Sequence, residues 1–278
     1  MKSVVCSLVV LLCVFRVGAS EVVSIGTSTS LTSELLQEDR ALMVYLPPSY
    51  SGTDKAFPVI YLLDGDVHRF TGFVGVLESL STDTLGNQVQ QAIVVAIPNT
   101  HRSRDLTPST VPEWTFKDRV LDTFAQSGQA SRFLTFLQQE LFPFIEANYR
   151  ASNRRLLVGE SFGGLFAADV VLQAPTTFDD YLIIDPTALW DNNYLNRTLA
   201  GAGERPALDA NVFFAFANNA HLGEIGLTNY QWGTTFATAI IRQATGTAEQ
   251  HYFEHETHGT VAFLAWYNGL RALLSAQN

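Results

Sequence analysis

The chain has 278 residues, 47% of them hydrophobic and 16% charged, with 17 basic against 27 acidic side chains and a formal charge of −10. An acidic protein repels polyanions, which argues against a nucleic-acid partner. The length allows one or two domains, but no Pro/Ser/Gly-rich linker, internal repeat or low-complexity run divides the sequence, so a single domain with a large core is expected.

The first 20 residues read MKSVVCSLVVLLCVFRVGAS: one lysine, an apolar run from Val4 to Phe15, then the small residues Gly18, Ala19 and Ser20. This is the pattern of a cleavable signal peptide, leaving 21–278 as the working domain. The apolar run is shorter than the roughly 20 residues a membrane-spanning helix needs. Cleavage would take the formal charge from −10 to −12, because the segment holds Lys2 and Arg16 and no acid. It would also remove both cysteines, Cys6 and Cys13, so disulfides have no part in the fold. Neither cysteine follows the small residues a lipid-anchor cleavage site requires. The exported chain is therefore expected to be secreted or periplasmic, without a membrane anchor.

Beyond the leader, apolar and β-branched runs predict strands at 41–46, 58–63, 91–97, 155–159, 180–184, 211–217 and 250–254. Several are continuous rather than alternating, as strands buried on both faces should be. Between them, apolar residues at helical spacing predict helices over 129–149, with Pro143 kinking it, and over about 162–174, 228–244 and 260–275. The stretches 66–90, 99–128 and 186–210 read as loops that shape a pocket. Strands alternating with helices predict an α/β fold, a mostly parallel central sheet with helices on both faces. Asn196-Arg197-Thr198 is a glycosylation sequon where the host glycosylates.

The segment LVGESFGGL at 157–165 sets Ser161 between glycines, after an apolar strand and before an apolar helix. In that setting G-x-S-x-G is a nucleophile elbow rather than an incidental glycine-rich turn. The hydroxyl is presented at the strand's end, and the Phe162 N–H lies at a helix N-terminus where an oxyanion would be stabilised. A second oxyanion donor is expected from the loop after the strand at 58–63, at Gly65 or Asp66.

A serine nucleophile needs a base. Of six histidines, 251, 255 and 258 lie near the last strand, and His258 alone is followed by Gly-Thr and a helix, the arrangement in which chain order runs Ser, acid, His. His251-Tyr-Phe-Glu254-His255 also fits the H-x-x-E-H pattern of one zinc peptidase class, but that chemistry needs a helix and this window reads as a strand. The acid is expected after the strand at 211–217. The only carboxylate of that loop is Glu224, with Glu256 and a Ser-His dyad as alternatives, while Asp209 lies at the wrong end of the sheet.

With these residues in place, the sequence resembles the putative esterase (esterase D-like) family of α/β-hydrolases. The likeness spans about 40–275 and is carried by LPPSY at 46–50, FPVIYLLDG at 57–65, AIPNTHRSRDLTP at 96–108, RFLTFLQQELFPFIEANYR at 132–150, LVGESFGGLFA at 157–167, DPTALWDN at 185–192 and HETHGTVAF at 255–263. NTHRSRDLTP and DPTALW are most similar to the catecholate siderophore esterase-like branch. The resemblance implies that Trp190 stands beside the site and that 99–126 forms a wall or flap over it. Arg102 and Arg104 would then meet an anionic substrate group, or else make salt bridges such as one to Asp105.

The expectation is a serine carboxylic-ester hydrolase that uses a Ser-His-acid triad and an acyl-enzyme, with a small-molecule ester as partner and no metal or cofactor. Siderophore-type, aryl or sugar esters are candidate substrates. Acyl transfer of the mycolyltransferase type and a non-catalytic binding module on the same scaffold are the competing readings.

Overall fold

The computed structural model describes residues 23–82, 87–203 and 206–276. The expected leader, 1–20, lies outside the described residues.

Among the described residues, ten strands and eight α-helices follow one another along the chain. The strands are β1 (Thr27–Ser33), β2 (Glu38–Tyr45), β3 (Phe57–Leu63), β4 (Ile93–Ile97), β5 (Glu113–Phe116), β6 (Arg119–Thr123), β7 (Ala151–Glu160), β8 (Asp180–Ile184), β9 (Asn211–Ala217) and β10 (Ala248–Phe253). The helices are α1 (Val67–Ser81), α2 (Arg102–Leu106), α3 (Ala130–Phe136), α4 (Phe142–Asn148), α5 (Phe162–Gln173), α6 (Tyr194–Gly201), α7 (Glu224–Ile241) and α8 (Ala262–Leu273). Eight strands form one sheet in the order β1-β2-β4-β3-β7-β8-β9-β10, in which β1/β2 and β2/β4 pair antiparallel and the remaining neighbours pair parallel. β5 and β6 form a separate hairpin.

The continuous apolar runs take up this geometry because both sheet faces are covered. Along β3, Val59, Tyr61 and Leu63 enter one core layer with α3, α4, α5 and α7, while Ile60 and Leu62 enter the other with α1 and α8. Successive strand residues point to opposite faces, so a run that is apolar at every position serves two layers at once.

Several segments depart from the expected elements: the stretches expected as loops at 99–128 and 186–210 carry α2, the β5/β6 hairpin and α6. The stretch taken as a loop at 66–90 contains α1, capped by the Asp66 carboxylate accepting from the Arg69 N–H at 2.9 Å and burying Phe70, Phe73, Val74 and Leu77 at helical spacing. The predicted helix over 129–149 is interrupted by a π turn at Leu137–Leu141, just before Pro143, which has no N–H to return to the preceding turn. The edge strand β1 is mostly polar and exposed, so it carries no apolar run to betray it. Among the described residues, no helix is long and apolar enough to cross a membrane.

Candidate active site

The parallel strands end along one rim, and the chemically capable residues gather there, as they do in open α/β sheets. β7 runs straight into Ser161, whose φ of 61° and ψ of −118° put it outside the regions ordinary residues favour. Main-chain bonds hold this conformation. The Ser161 N–H donates to the Ile184 oxygen at 3.0 Å, and the Ser161 oxygen accepts from the N–H groups of Leu165 at 2.8 Å and Thr187 at 3.2 Å. Gly159 is required by close approach, because a Cβ there would sit 2.2 Å from the Gly163 oxygen. Ser161 Oγ lies 3.4 Å from Thr187 Oγ1, and Phe162 begins α5 immediately after it.

His258 stands in the turn between β10 and α8. Its Nδ1 is 2.5 Å from Oδ2 of Asp185, the first residue after β8. Asp185 is fully buried. Its carboxylate also accepts from Asn219 Nδ2 at 2.8 Å and from the Ala217 N–H at 3.3 Å. Asn219 binds both partners, since its Oδ1 accepts the backbone N–H of His258 at 2.9 Å. Asn218 ties the same two loops, donating its N–H to Glu256 O at 2.7 Å and its Nδ2 to Glu254 O at 2.9 Å. The hydrogen bond to Asp185 raises the His258 pKa, partial burial opposes this, and the charges of Asp185 and Glu160 reinforce it against a smaller opposing effect from Arg102.

Ser161 and His258 share a cavity of about 310 Å³. Trp114, Phe162, Leu189, Leu222 and Ile225 give it an apolar wall. Asn229 shapes one side, accepting from the Leu189 N–H at 3.2 Å and donating to the Pro186 oxygen at 3.1 Å. Arg102 also lines the cavity, with its guanidinium doubly bonded to Asp64 through Nε at 2.7 Å and Nη2 at 2.9 Å. The base of this segment is fixed by charge. Arg104 pairs with Asp105 and Glu38, Arg40 pairs with the same two acids, and the Arg104 guanidinium holds the Glu38 carboxyl down to about 2.

Several expectations change. Glu224 does not meet His258: it opens α7 and pairs with Lys117, both side chains 61% exposed. The carboxylate at the histidine comes from the end of β8, one strand earlier than anticipated, because Asn218 and Asn219 draw the β9 loop and the histidine turn together above Asp185. Glu256 contributes its backbone oxygen to Asn218. The Gly65 N–H is engaged by the Ile97 oxygen at 3.1 Å and that of Asp66 by the Asp64 oxygen at 2.9 Å, so neither N–H is free to serve as the second oxyanion donor. The glycine at 65 answers a packing need, since a Cβ would lie 2.7 Å from Ala96 Cβ. Trp190 is fully buried behind the wall, its Nε1 donating to Ser109 Oγ at 3.0 Å, and Trp114 from β5 lines the cavity in its place. His251 lies on β10 with Nε2 3.0 Å from Glu249 and its ring against Phe213, which is strand geometry rather than a helical H-x-x-E-H face.

A mostly parallel eight-stranded sheet, covered on both faces and carrying a strained serine at a strand-to-helix turn, defines an α/β-hydrolase fold. The chain belongs to the Putative esterase family, whose model matches residues 33–260. Among curated proteins it is 28% identical over 180 residues to the ferri-bacillibactin esterase BesA of Bacillus subtilis, covering 61% of each chain. It is 29% identical over 173 residues to the siderophore enterobactin esterase of Emericella nidulans, covering 55% of each. These matches thus span about three fifths or less of those relatives' length. Among solved structures, an IroE-like serine hydrolase from Shewanella oneidensis superposes with a TM-score of 0.78 at 28% identity, over 88% of this chain and 79% of that one. The siderophore hydrolase EstA of Aspergillus nidulans, at 21% identity and a TM-score of 0.73 over 92% of this chain and 97% of that one, shares the fold.

Proposed function

We propose that this protein is an exported serine carboxylic-ester hydrolase in which Ser161, His258 and Asp185 form the triad. The observation that carries the reading is the buried Asp185 carboxylate on His258 Nδ1, in a turn that shares a cavity with an elbow serine. With Nδ1–H held by Asp185, Nε2 is the free ring nitrogen and faces the role of base. Ser161 Oγ attacks the ester carbonyl carbon while His258 Nε2 takes its proton. The oxyanion gathers at the Phe162 N–H and the positive end of α5. As the carbon–oxygen bond to the alcohol breaks, His258 returns the proton to the leaving oxygen. Water then repeats the sequence on the acyl-enzyme, releasing the acid and freeing Ser161.

Siderophore-type esters enter as candidates through the names of the relatives, beside aryl and sugar esters. Export rests on the leader pattern of residues 1–20. Fluorophosphonate labelling followed by peptide mass analysis tests the nucleophile. Label on the 155–173 segment, abolished by Ser161→Ala with the circular dichroism spectrum unchanged, is the expected result. Label that persists in Ser161→Ala places the nucleophile elsewhere.

A further inference from the structure

One buried acid at the elbow takes no part in the triad. Glu160 ends β7 immediately before Ser161 and is only 5% exposed. A carboxylate so placed has lost its hydration, and it stays charged at little cost only beside a cation. That cation comes from another element. Arg69, on the first turn of α1, ion-pairs with Glu160, and its backbone N–H is held by the Asp66 cap at 2.9 Å. Its side chain borders a polar recess that also holds Asp64, Asp66, Asn99 and Arg102. Among the described residues no other side chain bonds the Glu160 carboxylate, and Arg102 Nη2 reaches only its backbone oxygen, at 3.5 Å.

Strand register puts this acid on the histidine's side of the sheet. Glu160 pairs with Ile184, the residue before Asp185, and Val158 and Ile184 both enter the core layer of α1 and α8. Side chains two apart on one strand, and those in register on neighbouring strands, share a face. Glu160 therefore rises into the layer that the turn of His258 joins to α8. Three charged side chains act on the His258 ring: Asp185 from β8 and Glu160 from β7 favour its protonated form, and Arg102 from α2, doubly bound to Asp64, opposes it. The other elements packed there add little charge. Helix α8 has Arg271 in its last turn, and Glu254 and Glu256 on the histidine's own segment meet Asn218 through their backbone oxygens.

We infer that Glu160 is a positioning residue for the proposed reaction, a fixed anion that supports the imidazolium formed as Ser161 gives up its proton, and that Arg69 is what keeps Glu160 charged. The inference rests on the hydrolase reading above and deepens it, adding two side chains that act through His258. Removing the charge at either position has the same consequence at the histidine. Without Arg69, the buried carboxylate takes up a proton rather than remain an unpaired anion.

The acid limb of kcat/KM for p-nitrophenyl acetate tests it, read beside the thermal midpoint of each variant. Glu160→Gln, Arg69→Gln and the double variant should share one limb, displaced to lower pH by about half a unit, whereas Arg69→Lys keeps the wild-type limb. That the double variant moves no further than either single one is the mark of one residue acting through the other. An ion pair that merely braces α1 against β7 would lower the midpoint and leave the limb in place, and that result in Glu160→Gln overturns the inference. A limb that stays or moves to higher pH in Arg69→Gln overturns the part given to Arg69. If Glu160→Gln does not fold, the two Arg69 variants decide under the same criterion. Failure of the hydrolase reading is separate: the wild type would then neither take the fluorophosphonate label nor turn over any ester, which removes the inference with it.

Discussion

The elbow at 159–164 and the hairpin at 113–123 face the same cavity but are built in opposite ways. At the elbow, the strained serine is bracketed by main-chain hydrogen bonds to β8 and to its following loop, and its neighbours from Leu156 to Leu172 are buried with Ser161 itself only partly accessible. The hairpin has two strands outside the main sheet, exposed at most positions, and reaches the rest of the protein through Trp114 and an exposed Lys117–Glu224 pair. A two-stranded hairpin has little stability of its own. The proposed chemistry is therefore anchored in the main sheet, whereas part of the cavity wall hangs on a hairpin outside it.

Substitutions at the two regions should separate accordingly. Ser161→Ala should reduce turnover by on the order of 10⁵–10⁶ without changing the thermal midpoint by more than a few degrees, as steady-state assays and calorimetry would read. Asp185→Asn should cost on the order of 10²–10⁴ in kcat, because the imidazole loses the partner that fixes its tautomer. Asn219→Ala releases both the carboxylate and the histidine turn. It should lower kcat about tenfold with little change in KM, the size of effect that loss of one buried hydrogen-bonding partner brings. At the hairpin, Lys117→Ala removes an exposed ion pair and an exposed contact with the Phe116 ring. Its stability in urea should stay within about 0.5 kcal/mol of wild type, with turnover of small esters within about twofold. A large loss of activity in Lys117→Ala would erase the contrast between the two regions.

Much of this site is readable along the chain, and the failures have physical causes. Ser161 is legible because an apolar run, two glycines and an apolar helix fall in immediate succession, each needed by the turn. His258 is legible because it is the histidine between the last strand and the last helix. Asp185 also fits the order Ser, acid, His; the expectation that the acid follows β9 passes it over, because which loops lie side by side is not written in chain order. The signal was present, since Asp185 ends the buried run DYLII and precedes Pro186, an ionisable residue at the carboxyl end of a central strand. Asn218 and Asn219, which bring the loops together, carry no pattern of their own. Helix α1 was obscured by Gly72 and Gly75, poor helix formers that leave the Phe70-Phe73-Val74-Leu77 face as its only sign. Trp190 and Trp114 are alike as residue types, and only packing decides which is behind the wall and which is on it.

The pairing of Asp185 with His258 is the centre of the account, and the pH dependence of kcat/KM tests it most directly. In the proposed mechanism His258 must be neutral to accept the serine proton, so activity should rise as pH passes its pKa, and the Asp185 hydrogen bond raises that pKa above the ordinary histidine value near 6.5. Wild type and Glu224→Gln should share the same elevated acid limb, while Asp185→Asn, which removes the main support of the imidazolium, should shift that limb to lower pH as well as lower the plateau. An acid limb unmoved in Asp185→Asn but displaced in Glu224→Gln would contradict the assignment and return the acid to the α7 loop.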